Sequence, residues 1–212
     1  MLSVISPIVI FPRSIAGRLK MVFLDLRCGR EPLLGTEPPS RYAAWGCYPT
    51  QSTQDEELRT IFEDVDLVES DVFMDVGCGR GNVISFLLNH GFRGRILGVD
   101  VDKRVSEATA ERFRSFGNVQ IMHGNAVDFV DSQVNLYYLF NPFDQRVLTP
   151  FIEAIETRHS RATLIYFNPQ FAALFDRDGW IVEHKKTFYG EARHSEVSCN
   201  YYLYNKDGCR HG

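Results

Sequence analysis

The chain of 212 residues has few cysteines and no pattern among them. Its five cysteines (Cys28, Cys47, Cys78, Cys199 and Cys209) are scattered, and no two of them form a C-x-x-C pair. An odd, unpatterned set is typical of reduced thiols in a cytosolic protein, and it argues against a disulfide framework or a zinc site. The sequence therefore predicts a cytoplasmic protein with no metal centre.

Long apolar runs and an excess of positive charge are also missing. The apolar stretch 2–11 contains Pro7 and is followed by Pro12, no Lys or Arg precedes it, and a bilayer-spanning helix needs about 20 apolar residues. The net charge is −4 and the pI about 5.9, so nothing attracts the whole molecule to nucleic acid. We expect no membrane span, and we expect nucleic acid to be a disfavoured partner. The oligomeric state is not readable from the sequence.

The composition fits one folded domain of ordinary size. Hydrophobic residues make up 44% of the chain and charged residues 24%, which predicts a packed core. From residue 72 onward, apolar strand patterns alternate with helical patterns. Strands are predicted at 72–76, 95–99, 119–122, 134–140 and 162–167. Helices are predicted at 82–89, 104–116, 146–156 and 171–175.

Two β-rich runs, 180–189 and 196–204, are joined through Gly190 and predict a C-terminal hairpin. Together with the alternation, they predict an α/β fold with a mostly parallel seven-stranded sheet and helices on both faces. Residues 58–212 are interpreted as one compact domain.

Residues 1–57 lack the alternation and are interpreted as an N-terminal helical and loop extension with a lid segment. Positions 14–26 have helical spacing, and positions 35–52 are rich in Gly, Pro, Ser and Thr with embedded aromatic residues. Thr53-Gln54-Asp55-Glu56 is interpreted as a capping box, which predicts a helix from about Gln54 to Val65.

The segment Asp75-Val76-Gly77-Cys78-Gly79-Arg80-Gly81 carries the strongest functional pattern in the chain. It lies between a strand and a helix, where a glycine turn allows a ligand to approach backbone amides. A dinucleotide fingerprint reads G-x-G-x-x-G, but Asn82 stands where its third glycine belongs. An acid also precedes the first glycine, and this acid can help to hold a cationic amino group.

Other polar residues follow the later strands, at the edge where open α/β sheets bind ligands. Asp100 ends the second strand and can accept hydrogen bonds from both hydroxyls of a ribose. Asn125 follows the third strand and Asn141 the fourth, while Asn168-Pro169 echoes Asn141-Pro142 after the fifth. Because proline disfavours helical geometry in the residue before it, both Asn141 and Asn168 are expected to be extended.

The acid-x-Gly-x-Gly-x-Gly pattern resembles the first motif of the class I S-adenosylmethionine-dependent methyltransferases. The resemblance covers roughly residues 48–205, and it implies a methyltransferase with S-adenosylmethionine as its cofactor. The implied cofactor-binding residues are Asp75, Gly77, Cys78, Gly79, Gly81, Asp100, Val101, Asn125 and Ala126, with Tyr48 and Thr50 in the lid. Asn125 stands where the family commonly has an acid that binds the adenine amino group.

Asn141-Pro142-Phe143 resembles the Asn/Asp-Pro-Pro-aromatic motif of methyltransferases that modify amine or amide nitrogens, with one proline missing. The resemblance implies that these three residues form the catalytic site, and that Tyr138, Phe140 and Phe143 supply apolar walls. The acceptor is left open among a small molecule, a glycan and a protein side chain.

Two alternative functions are kept: a nicotinamide-dependent oxidoreductase, and a cofactor-binding module without catalysis. Asn141 has a second interpretation as a helix cap. The candidate bases are His123, His159, His184 and His194, each of which is more simply a structural or surface group. Lys185 and Lys186 are interpreted as part of a solvated face, together with Arg193 and His194.

Overall fold

The computed structural model describes residue 47, residues 53–190 and residues 195–208. These residues form one seven-stranded sheet with the strand order β3-β2-β1-β4-β5-β7-β6. The strands are β1 (Val72–Val76), β2 (Arg95–Asp100), β3 (Val119–His123), β4 (Leu136–Phe140), β5 (Arg161–Phe167), β6 (Trp180–Gly190) and β7 (Ser195–Asn205). The helices are α1 (Asp55–Phe62), α2 (Asn82–Asn89), α3 (Lys103–Phe113) and α4 (Gln145–Arg158), with 3-10 turns at Ala126–Phe129 and Ala172–Phe175.

Both faces of the sheet are covered because the parallel strands are apolar on both sides. The first face carries Phe73, Tyr138 and Ile165, and it packs against apolar residues of α1, α2 and α3, including Phe62 and Phe86. The second face packs against α4 through a separate cluster: Met74, Tyr137, Leu139, Tyr166, Phe151 and Ile155. The predicted fold class is confirmed.

The direction of the strands places five strand ends at one edge. Strands β1 to β5 are parallel, whereas β7 runs antiparallel to β5 and β6 antiparallel to β7. We call the edge at which β1 to β5 end the carboxyl edge. The strand order reverses between β1 and β4, which is where ligands bind in open sheets of this kind.

The predicted start of α1 is wrong by one residue. Gln54, not Thr53, precedes the helix, and the backbone N–H of Gln54 donates to Glu57 Oε2 over 2.8 Å. The Thr53 hydroxyl is instead hydrogen-bonded to the buried hydroxyl of Tyr138 at 2.8 Å. Because the contact with β4 engages the Thr53 side chain, Gln54 is the residue that caps the helix. Helix α1 also crosses the predicted boundary at residue 57.

Lys186 does not belong to a solvated face, in contrast to the prediction. Its side chain is only 13% exposed, and its ammonium donates to the Thr60 carbonyl and pairs with Glu63 and Asp64. The hydroxyl of Tyr201 donates to the Ile61 carbonyl over 2.6 Å. These bonds fasten the C-terminal hairpin to the end of α1. No helix in the described part of the chain is both long and apolar enough to cross a membrane.

Candidate active site

The glycine loop lies at the carboxyl edge, between the end of β1 and the start of α2. Gly77, Gly79 and Gly81 have φ angles of 75°, 50° and 75°, a region that favours glycine. The N–H groups of Gly77 and Cys78 both donate to the Val99 carbonyl, at 2.9 and 3.0 Å. The expectation of bare loop amides is therefore wrong for these two residues, because the loop folds back onto the end of β2.

Helix α3 holds the loop from its other side. The hydroxyl of Thr109 donates to the Gly79 carbonyl over 2.7 Å, and the guanidinium of Arg112 donates to the Arg80 carbonyl. A Cβ atom on Gly81 would lie 2.4 Å from the Phe113 ring. The loop is thus held rigidly by protein contacts, and its shape is set before any ligand binds.

Asp75 is the most unusual group at the edge. It lies on β1 between Gly98 of β2 and Tyr138 of β4, and it is only 3% exposed. Its Oδ2 atom has no hydrogen-bond partner among the described residues. Burial, and to a smaller extent the neighbouring Asp100, raise the pKa of Asp75 to about 8. A buried carboxyl without a partner is unfavourable unless a cation or a donor reaches it.

Asp100 ends β2 and faces the glycine loop. Its Oδ2 accepts the Gly79 N–H at 3.0 Å, and its Oδ1 accepts the Asp102 N–H at 2.8 Å. These bonds fix the carboxylate beside the glycine loop. Asp102, the competing acid, caps α3 by accepting the Arg104 N–H at 2.9 Å. The half-buried Val101 lies between the two acids.

Residues after β3 also reach this part of the edge. The Gly124 N–H donates to the Asp100 carbonyl over 3.0 Å, which places Asn125 beside the same strand end. Asn125 is exposed, and its Oδ1 caps the following turn by accepting the Val127 N–H at 3.1 Å. Ala126 is buried in the second-face core. Of these two predicted cofactor residues, only Asn125 presents a side chain to solvent.

Cys78 is buried at the base of the glycine loop. Its Sγ lies 3.0 Å from the position that a Cβ on Gly98 would occupy. Burial raises the pKa of the Cys78 thiol well above its ordinary value, and Asp75 and Asp100 raise it further. The thiol is therefore protonated at neutral pH, which fits a packing role and not that of a nucleophile.

The segment after β4 differs from the expected geometry. Asn141 and Asn168 have φ angles of 40° and 51°, so the prediction that both are extended is wrong. Asparagine is one of the few residues that tolerate this left-handed region. Asn141 does not cap a helix either, because Asp144 caps α4 by accepting the Arg146 N–H at 2.9 Å. The Oδ1 of Asn141 instead accepts a hydrogen bond from the Tyr166 hydroxyl at 2.8 Å.

Pro142 and Phe143 have contacts of their own. A Cβ on Gly77 would lie 2.8 Å from Pro142 Cβ, so the glycine loop and the segment after β4 are in direct contact. Phe143 is 6% exposed and its ring centroid lies 5.9 Å from that of Phe151, in the second-face core. Tyr138 is similarly buried. Of the three expected apolar walls, only Phe140 is partly exposed, and its ring lies 4.6 Å from that of Phe167.

The N-terminal extension touches the site at two described positions. Cys47 forms an antiparallel backbone bridge with Phe143. Burial raises the pKa of its thiol, and Asp100 and Asp144 raise it further, which places Cys47 near both acids. The second position is Thr53, through its bond to Tyr138. The predicted lid residues Tyr48 and Thr50 lie outside the described residues.

The candidate bases lie away from Asn141. His123 is exposed on β3, at the far side of β2 and β1 from β4. His159 is buried beside Tyr137, whose hydroxyl lies 2.9 Å from its Nε2, and burial lowers the pKa of His159. His184 stacks on Tyr201 at 3.8 Å. His194 lies outside the described residues. No cluster of metal-ligating side chains occurs in the described ranges.

Comparisons with known proteins agree with this geometry. Residues 73–158 match a family model described as a methyltransferase domain. No curated protein matches the chain. The sequence identities to similar solved structures are low, so these structures speak for the fold alone.

Three solved structures illustrate that likeness. An RNA methyltransferase from Salinibacter ruber, in complex with S-adenosyl-L-homocysteine, is 15% identical with a TM-score of 0.57, over 76% of this chain and 97% of that one. A putative RNA methyltransferase from Pyrococcus horikoshii is 18% identical with a TM-score of 0.57, over 89% and 98%. The StiE O-MT structure is 14% identical with a TM-score of 0.58, over 72% and 75%.

Two of these structures are named as RNA methyltransferases, so the expectation that nucleic acid is disfavoured as a partner has no support from them. The matched domain, the sheet order and the acid-glycine loop agree with one another. Residues 73–158 are similar to a methyltransferase domain, and the chain has the Rossmann-like fold of the solved S-adenosylmethionine-dependent methyltransferases that it resembles.

Proposed function

We propose that this protein transfers a methyl group from S-adenosylmethionine to an amine or amide nitrogen of an acceptor held beside Asn141. The observation that carries the proposal is the buried carboxyl of Asp75, which lies near Asp100 beside a preformed glycine loop and whose Oδ2 has no partner in the described part of the chain. A ligand with an ammonium group and a ribose would satisfy both acids. S-adenosylmethionine has both groups, so the residues present fit this cofactor.

Each cofactor residue has a proposed role that follows from its position. Asp75 pairs with the ammonium of the methionine portion, and this pairing restores the charge that burial disfavours. Asp100, at the end of β2, accepts the ribose hydroxyls with its carboxylate. Asn125 hydrogen-bonds the adenine. Gly77, Cys78, Gly79 and Gly81 contact the cofactor through their backbone, with Val101 beside the ribose.

The bound cofactor supplies a methyl group on a sulfonium, which an acceptor atom can take by in-line displacement. Positioning supplies much of the rate of such a reaction, and a dry apolar wall favours it because charge is dispersed as the methyl group leaves. Phe140 supplies that wall beside Asn141. A neutral nitrogen carries its own lone pair, so the distance of the described histidines from Asn141 favours nitrogen over a hydroxyl, which would need a base.

The class of acceptor molecule is part of the proposal. A small molecule, a glycan or a protein side chain fits the negative net charge of the chain. The names of two similar structures keep RNA among the acceptors to be assayed. We also propose that residues 1–57 form an extension with a lid over a domain of residues 58–212. A cytoplasmic location is proposed from the cysteine pattern.

Calorimetry with S-adenosylhomocysteine tests the cofactor assignment. We expect the wild-type protein to bind it, and Asp75→Asn and Asp100→Ala each to lower the affinity about 100-fold, because each removes one partner of a buried charged contact. Asp102→Ser is the matched control, since serine keeps the cap of α3 and the residue makes no proposed cofactor contact. Wild-type protein without affinity, or an Asp100→Ala variant with full affinity, would contradict the proposal.

A further inference from the structure

The amide of Asn141 is engaged by a residue outside the predicted site. Tyr166 lies on β5 opposite Leu139 of β4, so its side chain is next to the end of β4. Its hydroxyl donates to Asn141 Oδ1 over 2.8 Å. The left-handed backbone of Asn141, with φ at 40°, is part of the same local geometry. The end of β4 is therefore tied to the neighbouring strand through one side-chain hydrogen bond.

Tyr166 is held in place by the second-face core. Its side chain is fully buried, and its ring centroid lies 6.0 Å from that of Phe175. Phe175 in turn stacks on Tyr202 with centroids 4.0 Å apart. Asn200, the register partner of Tyr166 on β7, donates from its amide to the Tyr202 hydroxyl over 2.8 Å. Close packing of this kind fixes the position of the Tyr166 hydroxyl.

A fixed hydroxyl donor determines which way the amide of Asn141 is turned. The oxygen faces Tyr166 and has one of its two lone pairs occupied, whereas the NH₂ group donates to none of the described residues. Asn141 can therefore donate to a ligand and still accept one N–H.

We propose that Tyr166 is the positioning residue for Asn141, and that it sets the site to recognise a planar amide-type nitrogen. In a carboxamide, an oxygen lone pair lies beside the N–H, so the group can accept from the Asn141 NH₂ and donate to its oxygen. A simple alkylamine has a single lone pair, which must attack the methyl group, so it has no second lone pair to accept a hydrogen bond from the Asn141 NH₂ group. This inference rests on the proposed function and narrows its acceptor from amine or amide to amide.

Nuclear magnetic resonance of protein with ¹⁵N-labelled asparagine tests the positioning role. Asn141→Ala assigns the side-chain amide signals of Asn141. A hydrogen bond to the oxygen strengthens the partial double bond of an amide, so Tyr166→Phe should make rotation about the Cγ–Nδ2 bond about fivefold faster. Tyr202→Phe is the matched control, because it removes another buried tyrosine hydroxyl of the same face that also bonds an asparagine. An unchanged rate in Tyr166→Phe, or an equal change in Tyr202→Phe, overturns the positioning role.

Two small probes test the acceptor class on protein saturated with S-adenosylhomocysteine. Nicotinamide, a planar carboxamide, should shift the Asn141 signals, and benzylamine should not. If Tyr166→Phe does not fold, the Asn141→Asp variant is used in its place. The introduced carboxylate can accept the hydrogen bond from the Tyr166 hydroxyl but has no N–H to donate to a ligand, so binding of nicotinamide, measured by calorimetry, should be lost. No response to nicotinamide, or an equal response to benzylamine, overturns the amide assignment. Failure of the wild-type protein to bind S-adenosylhomocysteine would instead remove the proposed function, and the rotation result in the free protein would still decide the role of Tyr166.

Discussion

The two halves of the carboxyl edge are built in opposite ways. In the cofactor half, formed by the glycine loop with Asp75 and Asp100, the backbone is rigidly bonded but the Asp75 carboxyl has an oxygen without a partner. In the acceptor half, formed by the ends of β4 and β5, the side chains themselves are paired, as Asn141 is with Tyr166 and Gln170 with Asn168. The first half holds a buried carboxyl that a cationic ligand can ionise and pair with, and the second half orients its polar groups in advance.

The largest expected effect comes from replacing the unpaired acid. The pKa of Asp75 is about 8 in the folded protein and about 3.9 in an unfolded chain, so the folded state holds the extra proton between these values. The stability that protonated Asp75 contributes is fully present below about pH 4. It is lost as the pH rises from about 4 to about 8, by about 1.4 kcal/mol per pH unit.

Asp75→Asn should remove this dependence. Between pH 5 and pH 7 the wild-type protein should therefore lose about 3 kcal/mol of unfolding free energy relative to the variant. Urea denaturation at both pH values measures the shift. Parallel pH profiles for the two proteins would mean that Asp75 is not a strained carboxyl, and the contrast between the two halves would fail.

A smaller effect is expected where the two halves touch. Gly77 has a φ of 75°, and a Cβ there would lie 2.8 Å from Pro142 Cβ. Gly77→Ala should lower the unfolding free energy by about 2.5 kcal/mol through backbone strain plus overpacking, and it should weaken binding of S-adenosylhomocysteine. Urea denaturation and calorimetry measure the two effects.

Gly91→Ala is the control for Gly77→Ala, because Gly91 has a φ of 88° and open space around its Cβ position. It should cost only the strain, about 1 kcal/mol. Equal losses in the two variants would show that the contact between the loop and Pro142 contributes nothing.

The smallest effect is expected next to the acceptor half, where Lys186 of β6 bonds the end of α1. Lys186→Met keeps the apolar stem but removes the ammonium that bonds the end of α1, so we expect a loss of about 2 kcal/mol in thermal unfolding. Lys185→Met changes the exposed neighbour, and it should alter the stability by no more than about 0.5 kcal/mol. If the two variants lose the same stability, the bonds from Lys186 to α1 do not hold the hairpin.

The agreement between sequence and structure is closest where local pattern alone decides. Strand β1 and helix α2 have the predicted bounds, since an apolar run, three spaced glycines and a helical apolar pattern specify them without reference to distant residues. The same reasoning identified Asp75 and Asp100. It did not identify Cys47 or Tyr166 as parts of the site, because each acts through a residue distant in the chain.

The prediction that Asn141 and Asn168 are extended failed for a related reason. The rule for a residue before proline describes a free backbone, whereas Asn141 is held by Tyr166 and the Asn168 N–H donates to the Ser198 carbonyl over 2.8 Å. The burial of Tyr138 and Phe143 was not predicted, because the alternation of a strand tells which residues share a face, and not which side chains the helices cover.

The sequence by itself determined the order of strands and helices, the glycine loop and the two acids that follow the first two strands. These features depend on residue type and spacing over short stretches of chain, where steric and hydrogen-bonding preferences are local. Only the tertiary structure decided that Asp75 is buried without a partner and that Tyr166 turns the amide of Asn141. Burial, electrostatics and side-chain hydrogen bonds between strands depend on which distant residues the fold brings together, and sequence spacing does not contain that information.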